Sequence, residues 1–167
     1  MAIVLTGVSG SGKSEVGRAV AKRLGLKFLD ADDFHSNANK DKMHRGIALT
    51  DDDRRGWLKS LHEVLRQELD SGTSCVLACS GLKRGYREQL RDGLQGVRFF
   101  YLKIDYEVVT RRLESRTNHF FDSRLLDSQF AILEEPEPNE AFVIDQNRPL
   151  ADVVQEVLQI VKFCLGA

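Results

Sequence analysis

Cysteine and proline are scarce in this chain of 167 residues, at three each. Cys75, Cys79 and Cys164 are odd in number and lack CxxC spacing, which excludes a disulfide framework and a cysteine-held zinc site and fits a reducing compartment. The four histidines show no metal-ligand spacing. A basic excess is missing too: 24 Lys and Arg against 25 Asp and Glu leave a net charge of −1, which disfavours dedicated nucleic-acid binding. Long hydrophobic runs are absent. The apolar run at residues 2–5 has no basic flank and stops at Gly7, too short for a signal h-region or a membrane span, so a cytoplasmic protein that needs no membrane is expected. No internal repeat, low-complexity tract or linker interrupts the chain. With 42% hydrophobic and 29% charged residues, the composition is that of an ordinary globular domain able to bury roughly two thirds of its unfolded surface.

What is present alternates. Short apolar runs at residues 3–5, 27–30, 75–79, 97–102 and 142–144 read as strands. Between them lie helical patterns: Val16, Ala19, Val20 and Leu24 up to the stop at Gly25, a short segment at 40–45, and a long stripe from Trp57 to Leu69 N-capped by Thr50. Further helices are expected at 83–90, at 106–116, through Leu125, Leu126, Phe130 and Leu133, and from Leu150 to Leu165. Strands alternating with helices predict an α/β fold, a five-stranded parallel sheet covered on both faces.

Gly7-Val8-Ser9-Gly10-Ser11-Gly12-Lys13-Ser14 satisfies GxxxxGK[ST] between a predicted strand and a predicted helix, the context the motif requires. Glycines let backbone N–H groups curl around phosphates, the helix start adds its dipole, Lys13 supplies a cation and Ser14 an oxygen for Mg²⁺. The plainer alternative is a glycine-rich structural turn, against which pattern and flanks agree. If the second strand persists that far, Asp30 and Asp32 project to one side beside this loop, where one could hold the metal through water and the other deprotonate an attacking hydroxyl. The strand ending at Cys79-Ser80 lacks the aspartate that many P-loop proteins place there, which shifts the metal to Asp30, and no NKxD motif supports a GTPase. Arg112 and Arg116, four apart on one helix face, could reach the transferring phosphoryl group as lid arginines.

Together with Leu29-Asp30-Ala31-Asp32-Asp33-Phe34-His35, Asn39, Lys42-Met43, Asp51-Asp52-Asp53-Arg54, Trp57, Cys79-Ser80-Gly81-Leu82-Lys83, Tyr86-Arg87, Arg116 and His119-Phe120, the phosphate loop resembles the small gluconokinase family, related to shikimate and nucleoside-monophosphate kinases. The resemblance implies a three-layer α/β/α P-loop kinase fold of sheet order 2-3-1-4-5. It implies one domain over 1–167, with a substrate-binding region at about 34–57 and a lid at about 116–135. It implies ATP and Mg²⁺, with transfer of the γ-phosphate to the 6-hydroxyl of D-gluconate. By it, Asp32 would be the acceptor base, while His35, Lys42, Arg54, Ser80, Lys83, Arg87 and His119 would line the sugar-acid pocket. Gln146 and Pro149 would stand where similar kinases contact adenine. Arg54 is the candidate clamp on the sugar-acid carboxylate, held toward the pocket by Asp51, Asp52 and Asp53. The sequence departs from the family pattern with Ser36 and Gly56 where proline is usual and Gly81 where alanine is usual. A homodimer is left open. The competing readings are a shikimate or nucleoside-monophosphate kinase and, from another class, a nucleotide-binding module without catalysis.

Overall fold

The structure is a computed structural model that describes residues 1–115 and 123–166. Its sheet is built from β1 (Ala2–Thr6), β2 (Lys27–Asp30), β3 (Cys75–Ala78), β4 (Val97–Lys103) and β5 (Ala141–Asp145). All the pairings are parallel and the order is β2-β3-β1-β4-β5, as expected. β1 lies at the centre, and its five residues are all buried, because helices cover both faces and leave no side for polar residues.

Strand alternation divides the core. Val4, Leu77 and Phe99 face one layer, where they meet Trp57, Leu58, Leu61 and Leu65 of α3 (Asp51–Asp70) and Tyr86 and Leu90 of α4 (Arg84–Arg91). Ile3, Leu5, Val76 and Phe100 face the other, against Val16 and Val20 of α1 (Lys13–Leu24) and Val153, Val157 and Val161 of α7 (Leu150–Leu165). A third cluster joins Val8 and Leu82 to Val109 of α5 (Tyr106–Glu114) and Leu126 of α6 (Ser123–Ile132). Because the strands run parallel, the loops that follow them leave one end of the sheet, at the carboxyl ends of its strands.

Local signals account for the boundaries. Thr50 caps α3 as expected, its hydroxyl accepting from the Asp53 N–H at 3.2 Å while the Asp53 carboxylate accepts from the Thr50 N–H at 2.9 Å. α2 spans Asn37–His44 and starts earlier than expected, because Ser36 caps it by accepting from the Asn39 N–H at 3.2 Å. Gly81 adopts φ +48°, and a Cβ there would meet Thr6 Cγ2 at 2.8 Å, which explains glycine in place of alanine. The largest local departure lies after β2. The strand stops at Asp30, whose carboxylate accepts from the Asp32 N–H at 3.2 Å and opens a 3-10 turn over Ala31–Phe34. Asp32 therefore reaches the site from that turn, not from a continuing strand. Arg116, at the end of the helix expected over 106–116, and residues 117–122 of the expected lid lie outside the described residues.

Candidate active site

The phosphate loop joins β1 to α1. Gly10 and Gly12 have φ of 79° and 85°, and a Cβ on either would come within 2.7 Å of Val109 Cγ2 or Gln146 Nε2 respectively. Both the backbone angle and the close packing of α5 and Gln146 thus require glycine. Ser11 is buried, and its N–H donates to the Val8 carbonyl at 3.2 Å, closing the turn. Lys13 Nζ donates to the same carbonyl at 2.8 Å. Burial pushes the Lys13 pKa down, and the nearby Asp32, Cys79 and Asp30 act against that.

In front of the loop lies a cleft of about 520 Å³ lined by Ser9, Lys13, Asp32, His35, Arg54 and Ser80 among others. Ser14 Oγ donates to Asp30 Oδ2 at 2.8 Å, so a hydroxyl and a carboxylate already stand together at the mouth of the loop. That pair fits a Mg²⁺ ion held mainly by phosphate oxygens and water, since such an ion needs one or two protein oxygens and no dedicated cage. Among the described residues no group of three or more His, Cys, Asp or Glu offers an alternative metal site. Asp32 opens to the cleft, yet the protein around it displaces enough water to raise its pKa, with the Asp30 charge adding and the Lys13 charge opposing.

Next to Asp32 and also lining the cleft, His35 donates its backbone N–H to the Asp32 carbonyl at 3.3 Å and stacks on Trp57 with ring centroids 4.4 Å apart and planes 10° from parallel. Trp57 is fixed in turn, because its Nε1 donates to the Ala31 carbonyl at 2.7 Å and so ties α3 to the turn that carries Asp32. Burial first, then the Arg54 and Lys40 charges, push the His35 pKa down to about 4, so the ring is neutral at physiological pH. Its Nδ1 has no hydrogen-bond partner among the described residues.

Arg54 is buried, lines the cleft, and lies over the Tyr86 ring at 5.7 Å. Its Nε is also without a hydrogen-bond partner among the described residues. Of the expected support from the neighbouring aspartates, the Asp51 charge acts on it, but among the described residues none of the three carboxylates hydrogen-bonds it. Asp51 binds Lys83 Nζ at 2.8 and 2.9 Å and the Tyr86 hydroxyl, Asp52 binds Arg55, and Asp53 binds Lys42 Nζ at 2.7 Å besides capping the helix. Each carboxylate is taken by a side chain that can reach it from the helix surface, which leaves the Arg54 cation in the cleft. Lys42 and Lys83 are spent in these pairs and do not line the cleft.

Arg87 is likewise displaced from its expected place. Its side chain is 1% exposed and paired with Glu140, and its guanidinium also donates to the Gly81, Leu82 and Glu134 carbonyls. It points inward because only there do a buried carboxylate and three carbonyls match its planar fork. Its effect on the site runs through the loop at Gly81, next to Ser80, whose carbonyl accepts from the Gly7 N–H at 3.1 Å.

A smaller recess of about 260 Å³ adjoins Gly10 and Gly12 and is lined by Arg112, Gln146 and Arg148. Arg112 Nη2 donates to the Gln146 carbonyl at 2.9 Å, which holds α5 to the loop after β5. Pro149 caps α7 without lining that recess. Arg116 and His119 lie outside the described residues. One contact had no signal in the sequence: Gln129 of α6 lines the main cleft and bonds Ser9 of the phosphate loop.

The sequence profile of the shikimate kinase family matches residues 9–162. A probable gluconokinase of Dictyostelium discoideum is 42% identical, over 96% of this chain and 86% of that protein. Among solved structures, a sugar kinase from Janibacter is 43% identical with a TM-score of 0.89, over 95% of this chain and 92% of that one. A gluconokinase from Sinorhizobium meliloti 1021 is 42% identical with a TM-score of 0.86, over 95% and 89%. With a phosphate loop of that lineage facing a cleft that Arg54 lines, the chain belongs to the shikimate kinase family of P-loop kinases and, within it, to the gluconokinases.

Proposed function

We propose that the protein transfers the γ-phosphoryl group of ATP to the 6-hydroxyl of D-gluconate, giving 6-phosphogluconate and ADP. The observation that carries this reading is the composition of one cleft. The phosphate loop, Asp32, a neutral histidine and an arginine that no carboxylate of the described residues hydrogen-bonds line it together. The arginine suits a carboxylate, while the histidine and Ser80 suit hydroxyls, as a polyol acid requires.

In the proposed mechanism the loop 7–14 and Lys13 hold the β- and γ-phosphates. Asp32 accepts the proton of the 6-hydroxyl as its oxygen bonds to the γ-phosphorus and the bond to the ADP oxygen breaks. Its raised pKa makes Asp32 a better base than an ordinary surface aspartate. Ser14 directly, and Asp30 through water, would hold Mg²⁺, which supplies charge neutralisation on the phosphate oxygens. Arg54 grips the gluconate carboxylate and sets the distance from clamp to base. Arg112, Gln146 and Pro149 serve the nucleoside end, while Arg116 and His119 serve as lid residues. Gln146 and Arg112 are supported by the recess they line beside Gly12.

A reducing cytoplasm suits the three free cysteines, and among the described residues no helix is long and apolar enough to cross a membrane. Coupled measurement of ADP release with gluconate, glucose, shikimate and AMP tests the reading. Turnover is expected with gluconate and at background with the others. Equal or faster turnover with shikimate or AMP would reassign the acceptor, and ADP release indifferent to any acceptor would leave only a nucleotide-binding role.

A further inference from the structure

Helix α6 sends one polar side chain into the phosphate loop. Gln129 Oε1 accepts from the Ser9 backbone N–H at 2.6 Å, and Gln129 Nε2 donates to Ser9 Oγ at 2.8 Å. A single amide thus takes both a main-chain donor and the side chain of one loop residue. Anchoring of α6 does not depend on this grip. Leu126 is buried with Val8, Leu82 and Val109, and Phe130 meets Tyr106 edge-on at 5.2 Å. Ser9 and Gln129 line the same cleft as Lys13 and Ser14, so the carboxamide oxygen stands within the cradle, on a donor that a phosphate oxygen could take. An anionic phosphate oxygen is the stronger acceptor of the two, because a charge-assisted hydrogen bond outweighs a neutral one.

We propose that Gln129 is a latch that sets nucleotide affinity: its amide occupies Ser9 while the loop is empty, and the phosphate chain of an incoming nucleotide displaces it. The proposal rests on the reading that loop 7–14 binds ATP phosphates. Part of the binding energy of the triphosphate is then spent in freeing the Gln129 side chain from the loop.

Calorimetric titration of AMP-PNP with Mg²⁺ into wild type, Gln129→Leu and Gln129→Glu tests it. Leucine has a similar volume and removes the competitor, so affinity should tighten about three- to tenfold, the worth of one or two net hydrogen bonds. Glutamate keeps an acceptor on Ser9 and adds a charge that repels phosphate, so affinity should weaken by a comparable factor. Opposite signs for the two variants support the latch. If Gln129 instead serves as a phosphate ligand, both variants weaken, which overturns it; unchanged affinity in both overturns it as well. Gln129→Met is a second apolar variant with the same tightening expected, should the leucine variant fold poorly. Absence of AMP-PNP binding to the wild type would overturn the phosphate-loop reading itself, a result distinct from normal wild-type binding with variants of the wrong sign.

Discussion

Replacing Arg87 by leucine removes five hydrogen bonds together: two to Glu140 and one each to the carbonyls of Gly81, Leu82 and Glu134. It also strands a carboxylate whose side chain is 7% exposed. Burial alone would raise the Glu140 pKa, yet the Arg87 hydrogen bonds and charge, with smaller help from the Glu137 backbone and Arg84, hold it below its usual value. Removing one partner of a buried ion pair costs about 3–5 kcal/mol. In a domain of this size each kcal/mol lowers Tm by about 2–4 °C, so a fall of about 6–20 °C is expected. Removing both charges together, Arg87→Leu with Glu140→Leu, should cost less than Arg87→Leu alone, because no charge is then left unpaired. Urea and thermal unfolding of wild type and the two variants measure these differences. If Arg87→Leu unfolds within about 0.5 kcal/mol of wild type, the size of an ordinary surface substitution, and instead raises KM for gluconate selectively, the inward assignment is wrong and the side chain serves the substrate.

Three further variants bear on the cleft. Lys13→Met should lower kcat about a hundredfold or more, by loss of a cation over the phosphates, while Tm holds or rises slightly because the ammonium is desolvated; near-normal turnover would remove the lysine from the mechanism. Arg54→Lys keeps the charge and loses the fork, so calorimetry should show gluconate binding weakened by about 1–3 kcal/mol and the affinity for an ATP analogue unchanged, and equal gluconate affinity would refute the clamp. His35 gives a pH signature. Unfolded, it takes a proton near 6.5, and folded only near about 4, so between these values the unfolded chain binds more protons and stability rises with pH. Its contribution is complete above 6.5 and is lost as pH falls toward 4, and after allowance for screening it is worth about 1–2 kcal/mol. Urea midpoints at pH 7 and pH 5 should differ less in His35→Gln than in wild type; an identical difference would show that His35 is not desolvated.

Readings that rest on neighbours in sequence were legible. The strands appear as unbroken apolar runs because both faces of a parallel sheet are covered, and the division of Val4 from Leu5 between the two layers follows from the two-residue repeat of a strand. The Thr50 cap and the phosphate loop are closed within a few residues, so their residue types announce them. By itself, then, the sequence determined the α/β architecture, the nucleotide-phosphate site and the acidic residues beside it.

Tertiary structure decided which charges remain free for chemistry. Asp51, Asp52, Asp53 and Arg54 are consecutive, and nothing in that string tells that Lys83, Arg55 and Lys42 claim the carboxylates while Arg54 keeps its cation in the cleft. Arg87 resembled a pocket arginine until Glu140, 53 residues away, was folded against it. Asp32 came to the cleft through a turn fixed partly by Trp57, 26 residues on from Ala31, and the Gln129 grip on Ser9 spans 120 residues. An ionisable side chain takes its role from the partner it meets and the water it loses, and both are set by packing between distant segments, which no local pattern encodes.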